Sequence, residues 1–337
     1  MASKSAASSE PENAEHERKR QRILQEQDEK PQALLQETLQ GEVNPGDPHD
    51  HVMLGYKLGQ GGFGSVYRGK TTKDAKDVAV KVVQMNPGCI SPLLVHELLI
   101  LKNYSHSNMT AYMDSFIAEG NLWLMMEYVD GLSLGELVRY FRIKQGVMGK
   151  ILKGVLQALE YLHGCNIIHR DIKGDNILLG SNGDVKLSDY GLSIVEGAKM
   201  KQGHGTLSFM APEVLTSTNY TKKIDRPIWS LGMTLAEMIK GKQPYSGKSR
   251  ACKERLIISH VMPEIEGKNY LPPATRQFLR LCLKKNASER ASASQLLEQP
   301  LIRQAASTQQ LASFVTEAQS KIEEKKADLG LGLLSSS

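Results

Sequence analysis

No stretch of this 337-residue chain approaches the ~18 consecutive apolar residues of a membrane-spanning helix. The first twenty residues also lack the apolar segment of a secretory leader, and position two is not the Gly that N-myristoylation needs. Cysteine is scarce. Cys89, Cys165, Cys252 and Cys282 stand far apart with no CxxC pair, which argues against a zinc site or a disulfide framework and for a reduced, intracellular setting. A cytoplasmic location without a membrane span is the expectation, and no internal repeat is present.

What is there is ordinary for a globular protein: 40% hydrophobic and 23% charged residues, enough for one large two-lobed domain with short tails. The net charge of +5 is unevenly spread, because residues 1–50 carry 6 Lys/Arg against 11 Asp/Glu. The basic surplus of the remainder reads as a solvated surface, and no nucleic-acid partner is expected. Residues 1–50 read as a disordered or partly helical tail that ends in the linker Pro45-Gly46-Asp47-Pro48. From Tyr56 the pattern is strand-like, with β-prone runs at 66–68 and 78–83, then a helix at 93–101 and a buried strand at 122–129. After Gly131 the chain turns helical. Ile151, Val155, Leu156, Leu159 and Leu162 share one face, 228–239 is apolar almost all round, and 309–326 is an amphipathic terminal helix. A strand-rich first part (about 51–129) and a helix-rich second part (about 130–303), followed by a terminal helix and tail (304–337), predict an α+β chain of two lobes with a cleft between them.

The most informative run is His169-Arg170-Asp171-Ile172-Lys173-Gly174-Asp175-Asn176, or HRDxKxxN. In such a loop Asp171 accepts a hydroxyl proton, Lys173 faces a transferring phosphate and Asn176 holds a magnesium ion. A bare HRD arises by chance, so its surroundings decide. Gly59-Gln60-Gly61-Gly62-Phe63-Gly64-Ser65-Val66 is GxGxxGxV, whose glycines let backbone N–H groups approach phosphates. A dinucleotide fold would start a helix at the third glycine; here strand, turn and strand follow, so the loop caps a hairpin. Lys81 ends the run Val78-Ala79-Val80-Lys81, and Glu97 on the next helix supplies the carboxylate that would hold it. Asp189-Tyr190-Gly191 lies 13 residues beyond Asn176, past a hairpin that would return Asp189 to the same metal site. Ala211-Pro212-Glu213 follows, with Arg290 a distant partner for Glu213. Each motif alone has a bland reading as a turn or a surface charge, but five in this order are very hard to obtain by coincidence.

With these motifs the run from about Tyr56 to Arg303 resembles a eukaryotic protein kinase domain, and within that superfamily the p21-activated serine/threonine kinases. Gln84-Met85-Asn86, the stretch 122–128, Leu156-Gln157-Ala158-Leu159-Glu160 and Trp229-Ser230-Leu231-Gly232 carry the narrower likeness. The resemblance implies a bilobal fold that takes ATP and Mg2+ in its cleft and a protein substrate beside it. Leu58, Gly59, Gln60, Gly61, Gly62, Phe63, Gly64, Ser65, Val66, Ala79, Lys81, Met126, Glu127, Tyr128 and Leu178 would line the nucleotide site. Met126 would be the gatekeeper, and Glu127 and Tyr128 the hinge. Asn176 and Asp189 would hold magnesium. Asp175 would contact a basic residue of the substrate, the mark of a basophilic kinase.

The departures matter as much. The family's GTPase-binding segment has no counterpart in residues 1–50, so direct small-GTPase binding is not expected. The family's phosphorylated activation threonine is Gln202 here, which offers Arg170 only a neutral hydrogen bond in place of nearly two charges. The family's aspartate two residues before the Trp of WSxG is Pro227; Asp225 is displaced by two residues, about 200° around a helix. These losses leave an alternative open, an ATP-binding pseudokinase or scaffold with weak turnover. Because Gln202 cannot carry a phosphate, phosphatase treatment is expected to leave kinase activity nearly unchanged. A large loss in a radiolabel assay would place control at another hydroxyl, such as Ser193 or Ser208.

Overall fold

The computed structural model describes residues 32–61, 64–86, 89–195, 205–216, 227–263 and 271–328. Residues 15–30 of the expected tail, Gly62 and Phe63 of the glycine loop, Gln202 with its neighbours, and Asp225 lie outside them.

The first lobe begins earlier than the sequence suggests. Helices α1 (Gln32–Glu42) and α2 (Pro48–His51) precede the strands β1 (Val52–Gly61), β2 (Gly64–Thr71) and β3 (Asp77–Gln84). Helix α3 (Pro92–Asn103) and strands β4 (Tyr112–Ala118) and β5 (Asn121–Glu127) complete the lobe. The strands form one antiparallel sheet in the order β1-β2-β3-β5-β4. β3 is the central strand because it is covered on both faces: Val78 and Val80 are fully buried on one, and Lys81 and Val83 are buried on the other.

Every residue of α3 from Leu94 to Leu101 is buried, more than the one-sided helix that the sequence predicts. The reason is α1, which packs on the outer side of α3. Leu35 and Leu39, one turn apart, are the leucines of α1 that are fully buried. The ends of α1 are pinned as well. Gln32 exchanges hydrogen bonds with the backbone of Ile90, and Lys102 Nζ lies 3.1 Å from Glu42 Oε2 and donates to the Glu42 carbonyl at 2.6 Å. From residue 32 onward the stretch read as a tail is thus part of the lobe.

The second lobe starts with β6 (Gly131–Ser133), α4 (Leu134–Tyr140) and the long α5 (Gln145–Gly164). Short strands follow: β7 (Ile167–Ile168), β8 (Ile177–Gly180), β9 (Val185–Leu187) and β10 (Ile194–Val195). The order ends with α6 (Pro212–Thr216), α7 (Ile228–Lys240), α8 (Arg250–Ile258), α9 (Pro273–Cys282), α10 (Ala293–Leu297), α11 (Pro300–Arg303) and α12 (Thr308–Asp328). α5 and α7 run through the core. The predicted face of α5 is buried, and so is almost all of α7 from Ile228 to Met238, as its all-round apolar pattern requires. Pro227 sits at the start of α7, where no intrahelical N–H is needed, and its carbonyl accepts from Leu231 N at 2.9 Å. α12 buries Leu311, Val315, Ala318 and Ile322 along the amphipathic stretch expected at 309–326. All four cysteines are free thiols, and no helix among the described residues is long and apolar enough to cross a membrane.

The leucines of α1 give the first structural test. Leu35→Ala or Leu39→Ala is expected to destabilise the protein by about 3 kcal/mol, the usual result of emptying a fully buried leucine site. Urea unfolding followed by circular dichroism measures this. A loss below about 1 kcal/mol would show that α1 does not contribute to the lobe's core.

Candidate functional site

Lys81 lies in β3 between Val66 of β2 and Leu124 of β5, so the sheet register aims its side chain toward α3. Its Nζ is 2.5 Å from Glu97 Oε1 and 3.4 Å from Asp189 Oδ1. Lys81 and Glu97 are both buried, and a buried charge persists only when paired. Burial works against the ammonium, but the Glu97 and Asp189 carboxylates overcome it and hold the Lys81 pKa above the ordinary lysine value. One ionic cluster thus joins the sheet, α3 and the segment that follows β9.

The β8–β9 hairpin returns the chain as the sequence predicts: Ile177 pairs with Leu187, and Ser188 N donates to the Asn176 carbonyl at 2.9 Å. The Asn176 side-chain nitrogen donates to the Asp171 carbonyl at 2.9 Å and to Asp171 Oδ2 at 3.1 Å, which leaves its own oxygen for another partner. Lys173 Nζ is 2.7 Å from Asp171 Oδ2. Thr206, in the chain between β10 and α6, closes this group. Thr206 N donates to Asp171 Oδ1 at 2.9 Å, and Lys173 Nζ donates to Thr206 Oγ1 at 2.9 Å. Burial by itself would raise the Asp171 pKa, yet Lys173 and Thr206 outweigh it and hold it below the usual carboxylate value. Asp171 is therefore a carboxylate at neutral pH.

The loop's backbone conformation is unusual. Arg170 and Asp189 both adopt left-handed φ, 66° and 63°, a region that costs a non-glycine residue roughly 1–2 kcal/mol. Hydrogen bonds on each side hold them there. Arg170 Nε donates to the Leu192 carbonyl, and Tyr190, fully buried, donates its hydroxyl to the Leu187 carbonyl at 2.6 Å. His169 receives the Asp171 N–H on Nδ1 and faces the Ser188 carbonyl with Nε2 at 3.1 Å, so its proton sits on Nε2. Burial depresses its pKa and keeps the ring neutral. Gly205 has φ 121°, and a Cβ there would meet the Arg170 carbonyl at 3.0 Å.

The residues expected to line a nucleotide site take two kinds of position. Around Gly59 and Gly61 a Cβ would meet nothing within 4 Å, so their backbone borders open space. At Gly64 a Cβ would lie 2.3 Å from the Val82 carbonyl. The third glycine of GxGxxG is thus demanded by the close approach of β3, and no phosphate is needed to explain it. Ser65 and Val66 follow in β2, opposite Val82 and Lys81. Leu58 and Gln60 are exposed on β1, Ala79 stands opposite Met126, and Leu178 is half-buried on β8. Glu127 is pinned by Lys186 at 2.9 Å, while its backbone N donates to Ala111 O at 2.9 Å. Tyr128 turns its ring under Arg68, whose guanidinium lies 4.6 Å from the ring centroid.

Three residues that matter to the site were not evident in the sequence. Glu237, on α7, accepts the Gly174 N–H at 3.1 Å and so holds the 169–176 loop from below. Burial, with Asp175 nearby, raises its pKa to about 7 against the pull of the Gly174 N–H. A single carboxylate inside a helix apolar all round was the signal for it. Arg139, on α4, reaches Asp175 Oδ1 at 3.4 Å. Thr206 is the third, already named as the residue that closes onto Asp171 and Lys173. The distant pair expected from the sequence is present: Arg290 Nη2 donates to Glu213 Oε2 at 2.8 Å, with the guanidinium 5.0 Å from the Trp229 ring centroid. Ser193 and Ser208, the alternative phosphorylation positions, are buried.

Comparison with known proteins agrees with this geometry. Residues 53–302 match the family described as protein kinase domain. The chain is 35% identical over 310 residues to the serine/threonine-protein kinase STE20 of Candida glabrata, covering 90% of this chain and 34% of that protein. It is 34% identical over 294 residues to the serine/threonine-protein kinase PAK 1 of Mus musculus, covering 86% and 52%. With the serine/threonine-protein kinase pak-1 of Caenorhabditis elegans it shares 35% over 285 residues, 84% of this chain and 50% of the relative. The chain therefore spans about a third to a half of the length of the curated relatives it matches. The bilobal α+β fold, the ordered motifs and these matches agree: the chain belongs to the protein kinase family, within which it is similar to the STE20 and PAK serine/threonine kinases.

Proposed function

We propose that this chain transfers the γ-phosphoryl group of ATP to serine or threonine hydroxyls of protein substrates, with a preference for substrates carrying a basic residue. The observation that carries the reading is the pairing of an ionised Asp171 with Lys173, closed by Thr206 and held beside Asn176 and Asp189. A scaffold needs no such arrangement of proton acceptor and cation.

The residues present fit MgATP. Gly59 and Gly61 leave open space where phosphates can approach backbone N–H groups, and Lys81 presents an ammonium held charged by two carboxylates. The Asp189 side chain is 38% exposed despite its contact with Lys81, and the Asn176 oxygen is free of the Asp171 bonds. These two oxygen donors suit a hard cation such as Mg2+. Bound MgATP supplies the electrophilic phosphoryl group. Asp171 orients the acceptor hydroxyl and takes its proton at a carboxylate oxygen, and Lys173 offsets negative charge building on the transferring oxygens. Lys81 positions the phosphates, and Glu97 positions Lys81. Asp175 would receive a substrate's Arg or Lys, and the buried Glu237 beneath it adds negative potential at that point when ionised. Arg139 and Gln243, whose side chain is 3.5 Å from Asp175 Oδ2, already show that donors fit there.

Two measurements test this. Asp171→Asn is expected to lower phosphate incorporation from radiolabelled ATP by about a thousandfold, the usual loss of a general base, with ATP affinity retained. Equal incorporation by the two proteins, with ATP bound to both, sinks the kinase reading and leaves the silent pseudokinase or scaffold. The second is a pH profile. Glu237, with a pKa raised to about 7, is mostly protonated at pH 6 and ionised at pH 8. The KM for a basic peptide is therefore expected to fall as pH rises through about 7, and Glu237→Gln to flatten that change. In folding the sign is opposite: the raised pKa adds stability below pH 4.5 that is lost as pH rises through 7. Thermal melting of the two proteins across that window checks it.

A further inference from the structure

Thr206, bonded to the proton acceptor, leads directly into a short turn. Ser208 is two residues on, no more than about 7 Å along an extended chain, in the short 3-10 turn Leu207–Phe209. Its side chain is buried, and its Oγ lies 3.1 Å from Lys253 Nζ, which α8 brings against this turn. Lys253 is half-exposed. Among the described residues no carboxylate lies within ion-pairing distance of it, and its helix neighbour Glu254 is engaged by Arg250 at 3.0 Å. One of its three N–H groups goes to Ser208, and two remain to donate.

The opposite end of α7 has the opposite charge. Ser230 Oγ donates to the Phe209 carbonyl at 2.8 Å, beside Ser208, and Glu237 lies two helical turns further, about 10 Å along the axis. The loop carrying Asp171 connects the two ends: Thr206 binds Asp171 at one, and Gly174 binds Glu237 at the other. An acceptor hydroxyl at Asp171 therefore has acidic groups to one side and a lone ammonium to the other.

We infer that Lys253 determines specificity by receiving an anionic side chain, carboxylate or phosphate, next to the substrate's acceptor serine or threonine. This rests on the kinase reading and adds a substrate class: hydroxyls flanked by a base on one side and an anion on the other. Charge-assisted bonds from an ammonium suit both anions.

The test uses the full chain with MgATP and a degenerate peptide library built around one serine. Each flanking position is fixed in turn as Asp, Glu, phosphoserine, Ala or Lys, and binding of labelled peptides is followed in parallel by fluorescence anisotropy. At one flanking position the anions are expected to raise kcat/KM about fivefold over Ala, the scale of a half-exposed ion pair. The Asp/Glu and phosphoserine arms distinguish the two anion sources. Lys253→Met is expected to bring the anion-to-alanine ratio to one, and Lys253→Glu to favour Lys. Melting temperatures show that each variant folds. If Lys253 only supports the turn, its removal lowers turnover of all peptides alike and leaves the ratio intact, which overturns the proposal. Phosphorylation without any anion preference overturns it while leaving the kinase reading standing. Anion-selective binding lost in Lys253→Met, without turnover, supports it and rejects catalysis. Neither binding preference nor turnover rejects both.

Discussion

The ion pair of Lys81 and Glu97, extended by Lys81 to Asp189, is the interaction through which the two lobes share one site. An ammonium and a carboxylate removed from water cost more to bury than their attraction returns unless the geometry is close, so the pair is weak evidence of stability. Its effect is positional. It fixes the rotation of α3 against β3, and through Asp189 it fixes the segment after β9 against both. Removing one partner would leave a buried, uncompensated charge, a far larger penalty than the pair's net worth. For that geometry to hold, α3 must itself be held, and α1 does this from behind with two leucines and pins at both ends.

A second constraint acts at the loop 169–176. Left-handed conformations at Arg170 and Asp189 store strain that only surrounding bonds can sustain. Those bonds come from every side: Leu192 and Tyr190 from the adjoining segment, Thr206 from the chain between β10 and α6, and Glu237 from α7 below. Where the kinase family resembled here supports this loop with a phosphate and an aspartate, the described residues show backbone carbonyls and a glutamate at work.

Much of this was legible in the sequence, for identifiable reasons. HRDxKxxN, the glycine run, Lys81 and Asp189 are local motifs, and strand and helix periodicity told which elements carry them. The all-round apolar run at 228–239 and the amphipathic run at 309–326 became buried and surface helices because hydrophobic periodicity is a direct record of burial. That residues 32–50, expected to be part of a disordered or partly helical tail, pack on the lobe was hidden for the same reason. α1 offers few apolar residues, and Leu35 and Leu39 mean little until a partner helix is known.

The sequence by itself determined the chemical groups and their order along the chain, because phosphoryl transfer needs particular side chains at short, fixed spacings. Contacts between distant residues were decided only in three dimensions. Gly64 is glycine because β3 passes 2.3 Å from where its Cβ would be, a fact of sheet packing and not of the motif. Glu237 meets Gly174 across 63 residues, and Lys253 meets Ser208 across 45. Such pairs carry no local signature, since each partner alone reads as an ordinary charge or hydroxyl. Packing brings them together, and desolvation at that junction gives them their strength.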